Sequence, residues 1–338
     1  MASSLLFVNK DGNDSNDGQT WGRAKLTISN AIAALPNQGS SGTLRDEGTI
    51  MIGPGQFAEQ IQLVNRGIRL IGCGVDMESA GNGTEIFLPN STNDNLIEHT
   101  GAFTDYPHAV VISNLTLNAN GDNNTSGDCV AFGTSGGAGG FNTVFDTVYF
   151  KDAEDYGIHF ADVPVSCTIR NCTGPLGAGT NMDAVFRVDS TSGNDNGLLR
   201  IHDFECDDVP IVLDVSDAST GNTNLIVLRD LKVENGTAVS TAIVRHNKTV
   251  EGDAVRIVLD GLSYANYAAG GNMNSIFELN DTGGPHAQWA EACISMRSIV
   301  APEVDYIVDD NVNTTTEAMT TAKAFRGGVY WQGSWTAY

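Results

Sequence analysis

Leu199-Arg-Ile-His-Asp203-Phe-Glu-Cys206, echoed 27 residues later by Ile226-Val-Leu-Arg-Asp230-Leu-Lys-Val233, decides the fold. In both stretches apolar and polar residues alternate as in a half-buried strand. An aspartate interrupts the alternation at the same place in each. The pattern recurs as Val-Val-Ile-Ser-Asn114-Leu-Thr-Leu, Val-Phe-Asp146-Thr-Val-Tyr-Phe, Cys-Thr-Ile-Arg-Asn171-Cys and Arg-Ile-Val-Leu-Asp260-Gly-Leu, with a weaker copy at Ser298. Asn and Asp tolerate the left-handed backbone that a one-residue bend between strands requires. The recurrence therefore predicts one bend at the same corner of successive rungs. The corners are 32, 25, 32, 27, 30 and 38 positions apart. A fixed motif at unequal spacing predicts a β-helix with loops of variable length, against a β-sandwich or a propeller.

A second strand pattern follows each loop: Cys129-Val-Ala-Phe132, Gly157-Ile-His-Phe160, Ala184-Val-Phe-Arg-Val188, Ile211-Val-Leu-Asp-Val215, Ala242-Ile-Val-Arg245, Ile276-Phe-Glu-Leu279 and Tyr306-Ile-Val308. If Val130, Ile158, Phe186, Leu213, Val244 and Phe277 point inward, their strand neighbours point out. At Val244 the register has an alternative, with Ile243 inward instead. The inward set puts His159, Arg187, Asp214, Arg245 and Glu278 in one outward column, about 4.8 Å from rung to rung. The column reads either as a solvent-facing charge ladder or as a contact strip for a glycan or a neighbouring subunit. The Gly/Ser/Asn-rich segments Gly133–Gly140 and Ser190–Gly197 read as loops on one side.

At the N-terminal end, Asp11 to Gly18 is turn chemistry at almost every position. Ile28, Ala31, Ile32 and Leu35 then mark one apolar face of a helix, with Thr27 as N-cap and Pro36 as stop. So short a helix must lie on something apolar, and the open end of a strand stack needs such a cover. Short alternating strands follow, in Ile50-Met-Ile-Gly-Pro-Gly-Gln-Phe57-Ala-Glu59, Ile68-Arg-Leu-Ile-Gly72 and Thr84-Glu-Ile-Phe-Leu88. The succession of turn, Thr-Ile-x-x-Ala-Ile helix, Ile-x-Ile-x-Pro-Gly-x-Phe-x-Glu and Ile-x-Leu-x-Gly resembles the opening of pectate-lyase-like proteins over about residues 8–90. That superfamily comprises right-handed single-stranded parallel β-helices: pectin-degrading enzymes, epimerases and many tailed-phage spikes. The resemblance implies an all-β fold with a short capping helix, and it leaves function open, because one scaffold carries unrelated activities. The division it suggests is 1–40 for turn and cap, 41–310 for the β-helix and 311–338 for an aromatic-rich segment.

Composition narrows the partners. Charged residues are 17% of the chain and 38 residues are Gly, which favours strands and turns over helical bundles. The formal charge of −23 repels nucleic acid. It reads as solubility, or as adaptation to salt or to divalent cations. No stretch approaches the about 18–20 apolar residues that span a bilayer, and Met1 to Phe7 carries no export signal. Cys73, Cys129, Cys167, Cys172, Cys206 and Cys293 lack paired metal-site spacings, and five of them sit in or beside apolar strand runs and read as reduced core thiols.

No catalytic group declares itself. Glycoside hydrolysis asks for one protonated and one ionised carboxyl group. The candidates are Glu205 with Asp207 and Asp208, Glu154 with Asp155, and Asp214 with Asp217; neighbours of this kind also arise by chance in an acidic chain. The calcium-cluster, esterase and polygalacturonase motifs of the resembling enzymes are missing. No metal or cofactor is expected; Asp11–Asp17 lacks the closing glutamate of a calcium loop.

The aromatics Phe325, Tyr330, Trp331, Trp335 and Tyr338 read as a C-terminal cap or a subunit contact. The expectation is a virion structural protein of a tailed phage, a homotrimeric tail spike or capsid-decorating protein. Its partners would be itself, other virion proteins and host surface polysaccharide, with His159, Arg187, Asp214, Arg245, Glu278, Trp331 and Trp335 as contact residues. The alternatives are a polysaccharide-degrading enzyme and, less in keeping with the missing export signal, a cellular adhesin.

Overall fold

A computed structural model describes residues 5–35, 47–64, 67–77, 81–100, 109–133, 142–176, 181–190, 197–218, 224–236, 241–248, 255–267, 273–281, 294–302, 304–310 and 329–332. The chain winds into a parallel β-solenoid of about six turns. A first sheet runs through strands Leu5–Val8, Glu47–Ile52, Gly67–Ile71, Val110–Asn118, Thr143–Asp152, Cys167–Thr173, Leu198–Asp207, Leu225–Asn235, Arg256–Asn266, Ile294–Pro302 and Val329–Gln332. A second sheet stacks Ile61–Val64, Ile97–Thr100, Val130–Phe132, Tyr156–Phe160, Ala184–Ser190, Ile211–Asp217, Ala242–Lys248, Met273–Asp281 and Val304–Asp310. The solenoid begins with Leu5–Val8, which pairs in parallel with Glu47–Ile52. It extends to Val329–Gln332, paired with Ile294–Pro302.

Each long strand of the first sheet is two arms joined at a left-handed residue. Along Leu225–Asn235, Ile226 and Leu228 point in, Arg229 and Asp230 both point out, and Leu231 and Val233 point in again. Asp230, at φ 51°, thus resets the two-residue alternation. Equivalent corners are Asn114 (φ 54°), Asn171 (51°), Asp203 (54°) and Ser298 (55°). Two corners fall one residue beyond their expected places, at Thr147 (59°) instead of Asp146 and at Gly261 (88°) instead of Asp260. Register explains the shift: Asp146 lies across from Ser113 and Arg170, which precede the neighbouring corners, and Asp260 lies across from Arg229 and Arg297. Both aspartates spend their carboxylates on arginines, Asp146 on Arg170 at 2.7 Å and Asp260 on Arg229 at 3.3 Å and on Arg297.

Inside, Val130, Ile158, Phe186, Leu213, Val244 and Phe277 are all buried. Pairing of Leu213 with Val244 and of Val244 with Phe277 settles the register there. Phe132 stacks on Phe160 at 5.3 Å, and Phe186 meets Phe204 edge-on at 4.9 Å. Burial pushes the thiols of Cys129, Cys167 and Cys206 up, so they behave as small apolar side chains. Cys73 is exposed, and Cys293 lies outside the described residues.

Helix Ile28–Ala34 closes the N-terminal end on Ile28, Ala31 and Ile32, which are buried, and Thr27 caps it by accepting from Asn30 N. Two distant carboxylates complete the cap. Asp14 accepts from Leu26 N at 3.0 Å and Thr27 N at 2.9 Å. Glu59 accepts from Ile28 N and Ser29 N, both at 2.9 Å. The aspartate-rich turn therefore serves the helix entry. Leu35 is the C-cap, and Pro36 lies outside the described residues.

Candidate functional site

Strand pairing assembles the outward column as a continuous row. His159 lies across from Arg187, Arg187 from Asp214, Asp214 from Arg245 and Arg245 from Glu278. A parallel row two residues on holds Asp189, Ser216, Asn247 and Asn280. The rows interlock. His159 sits between Asp189 at 2.9 Å and Asp128 at 3.3 Å, and Arg187 bridges Asp189 at 2.8 Å to Asp214. Asn247 donates to Asp214 at 3.0 Å and Asn280 to Asn247 at 2.9 Å, while Arg245 reaches Glu278 at 3.1 Å. Tyr156 lies under the Arg187 guanidinium, 5.8 Å from its ring centre, and edge-on to His159.

Electrostatics move His159 and Asp189 in opposite directions. Burial opposes the charged His159 imidazole, but hydrogen bonds and charges from Asp128 and Asp189 outweigh it and raise the group to about 9. Asp189 moves the other way: despite its burial, His159 and Arg187 hold it below the usual carboxylate range. Burial raises Asp128, and burial with the nearby Asp155 and Asp214 raises Asp183. The arrangement can present fixed donors and acceptors to a polar partner.

The three candidate acidic clusters differ in their surroundings. Asp208 is a turn former at φ 52° whose carboxylate accepts from Gly236 N at 2.7 Å. Asp155 accepts from Gly127 N at 2.8 Å. Asp214 faces out, whereas Asp217 faces in. Around Asp207 the carboxyl groups do converge: burial, then Asp208, Glu234 and Glu205, raise it to about 6. Glu234 lies across from it on the next strand, and Lys232 holds both Glu205 and Glu234. Trp331 takes the register position next to Ala301, and Trp335 lies outside the described residues.

One cluster escaped the sequence reading. Asp217, His246 and Lys248 are fully buried, with Asp217 directly across from Lys248 on adjacent rungs. Lys248 Nζ is 3.3 Å from Asp217 Oδ1 and His246 Nε2 is 3.2 Å from Oδ2, which also accepts from Val255 N at 3.0 Å. Parity carried past the apolar run was the available signal: inward Leu213 and Val215 lead to Asp217, and inward Val244 leads to His246 and Lys248.

No protein-family model matches the sequence, and no curated protein matches it.

Proposed function

We propose that this chain is a structural protein of a tailed-phage particle, a β-helical tail spike or capsid-decorating protein that assembles as a homotrimer and meets host surface polysaccharide. The observation that supports this reading is the interlocked polar row from His159 to Glu278. Its carboxylates are committed to cations and amides along a stiff ladder, as suits a contact surface better than a catalytic cleft. On this reading the aromatic-rich segment with Trp331 and Trp335, a cap or a subunit contact from the sequence, serves as the contact between copies. Fractionation of phage lysates tests the proposal: the protein should co-sediment with intact particles at a fixed copy number. Its appearance only in the soluble fraction would remove the reading.

A second reading rests on Asp207. Asp207, raised to about 6, lies across from Glu234, which is ion-paired with Lys232, so two carboxyl groups stand together as glycoside cleavage requires. On this reading the protein is a polysaccharide-degrading β-helix enzyme. Incubation with capsular polysaccharide should then release new reducing or unsaturated ends, and Asp207→Asn should abolish the release.

A further inference from the structure

The chain has six lysines, and one of them, Lys248, is completely buried against an equally buried carboxylate. A dry ion pair is costly, because desolvating two charges consumes most of their attraction. Moving one proton from the ammonium to the carboxylate cancels both charges. It leaves a neutral amine and a carboxylic acid, the reactants of an amide condensation. Buried lysine gives up its proton readily and becomes a nucleophile. Lys248 Nζ stands 3.3 Å from Asp217 Oδ1, one bond from the carbon that the amine would attack, so the two groups are already held side by side.

The other carboxyl oxygen is held by two nitrogens. Val255 N–H donates to Oδ2 at 3.0 Å, and His246 Nε2 lies 3.2 Å from the same atom. In the tautomer with hydrogen on Nε2, both are donors aimed where negative charge develops when a nucleophile adds to Cγ. We infer that Lys248 and Asp217 condense into an intramolecular isopeptide bond, with His246 and the Val255 amide stabilising the tetrahedral intermediate. Nζ first protonates Oδ1, and the resulting amine adds to Cγ, placing negative charge on Oδ2. A second proton passes from nitrogen to the Oδ1 hydroxyl, the Cγ–Oδ1 bond breaks and one water leaves. The Nζ–Cγ amide keeps one hydrogen. Nothing is oxidised or reduced, and no co-reactant is needed.

The bond would staple two successive rungs from inside, wherever the protein works, so it stands apart from the particle assignment. Mass spectrometry of the denatured full chain reads it directly. The expected mass is one water below that of the sequence, with a branched peptide joining the segments that contain Asp217 and Lys248. Lys248→Arg and Asp217→Ala should each restore the full mass, and His246→Leu should slow or abolish the loss while His246→Gln, which keeps an N–H donor, retains more of it. A wild-type mass equal to that of the sequence would overturn the inference and leave a plain ion pair. So would a water loss that maps elsewhere, such as an Asp-Gly succinimide.

Discussion

The strands of the second sheet carry the same three kinds of side chain twice. Outside stand a carboxylate, a cation and a histidine in Asp214, Arg187 and His159; inside stand Asp217, Lys248 and His246. Only parity separates the two sets, since Asp214 and Asp217 are three residues apart on one strand. Outside, the charges are partly open to solvent and share their partners along the row, so the row is sensitive to salt. Inside, each member depends on the others, because a charge left behind has no solvent to turn to. The same chemistry thus gives an adjustable ladder on one face and an all-or-nothing knot on the other.

The comparison breaks first at Asp217. Asp217→Ala removes the buried carboxylate across from Lys248 and should cost about 3–5 kcal/mol, read as a large fall in thermal midpoint. Loss of the covalent link would add to that figure. Replacing Asp217 and Lys248 together by apolar residues of similar volume should recover most of the non-covalent cost; no recovery would mean the inner cluster is not an interdependent unit.

Outside, pH is the lever. His159 titrates near 9 when folded, above its ordinary value of about 6.5, so its contribution is fully present below about 6.5 and is lost as pH rises through about 9. The wild-type midpoint should therefore fall across that window relative to His159→Gln, whose difference should stay flat. Arg187→Ala should cost about 1 kcal/mol, less in high salt, measured as the shift in midpoint with added NaCl. An equal cost at all ionic strengths would place Arg187 in the inner class. The smallest effect is expected at the corner: Thr147→Asn should raise stability by about 0.5 kcal/mol, because a β-branched residue sits poorly at φ 59°.

The fold was legible wherever a pattern repeated. Alternation of period two, a polar residue before each bend and the apolar face of the cap helix all follow from local physics. Placing the corners at Asp146 and Asp260 followed residue type. A better rule lay in the same letters: every corner is followed at once by an inward apolar residue, as in Asn114-Leu115, Asn171-Cys172, Asp203-Phe204 and Asp230-Leu231, which selects Thr147 before Val148 and Gly261 before Leu262. The outward column was legible because each member sits beside an apolar anchor. The inner cluster was not, because Asp217 and Lys248 close their strands and read as the polar edge of a loop. The grouping of Asp207 with Glu234 required the strand register that only the fold supplies.

Glu59 has a bearing on how the chain comes together. The helix from Ile28 donates two of its terminal amide hydrogens to a side chain 30 and 31 residues downstream. A chain emerging from the ribosome has made that helix's sequence well before the carboxylate that secures it. The lid therefore settles after the first coil has closed beneath it, later than its own place in the sequence suggests.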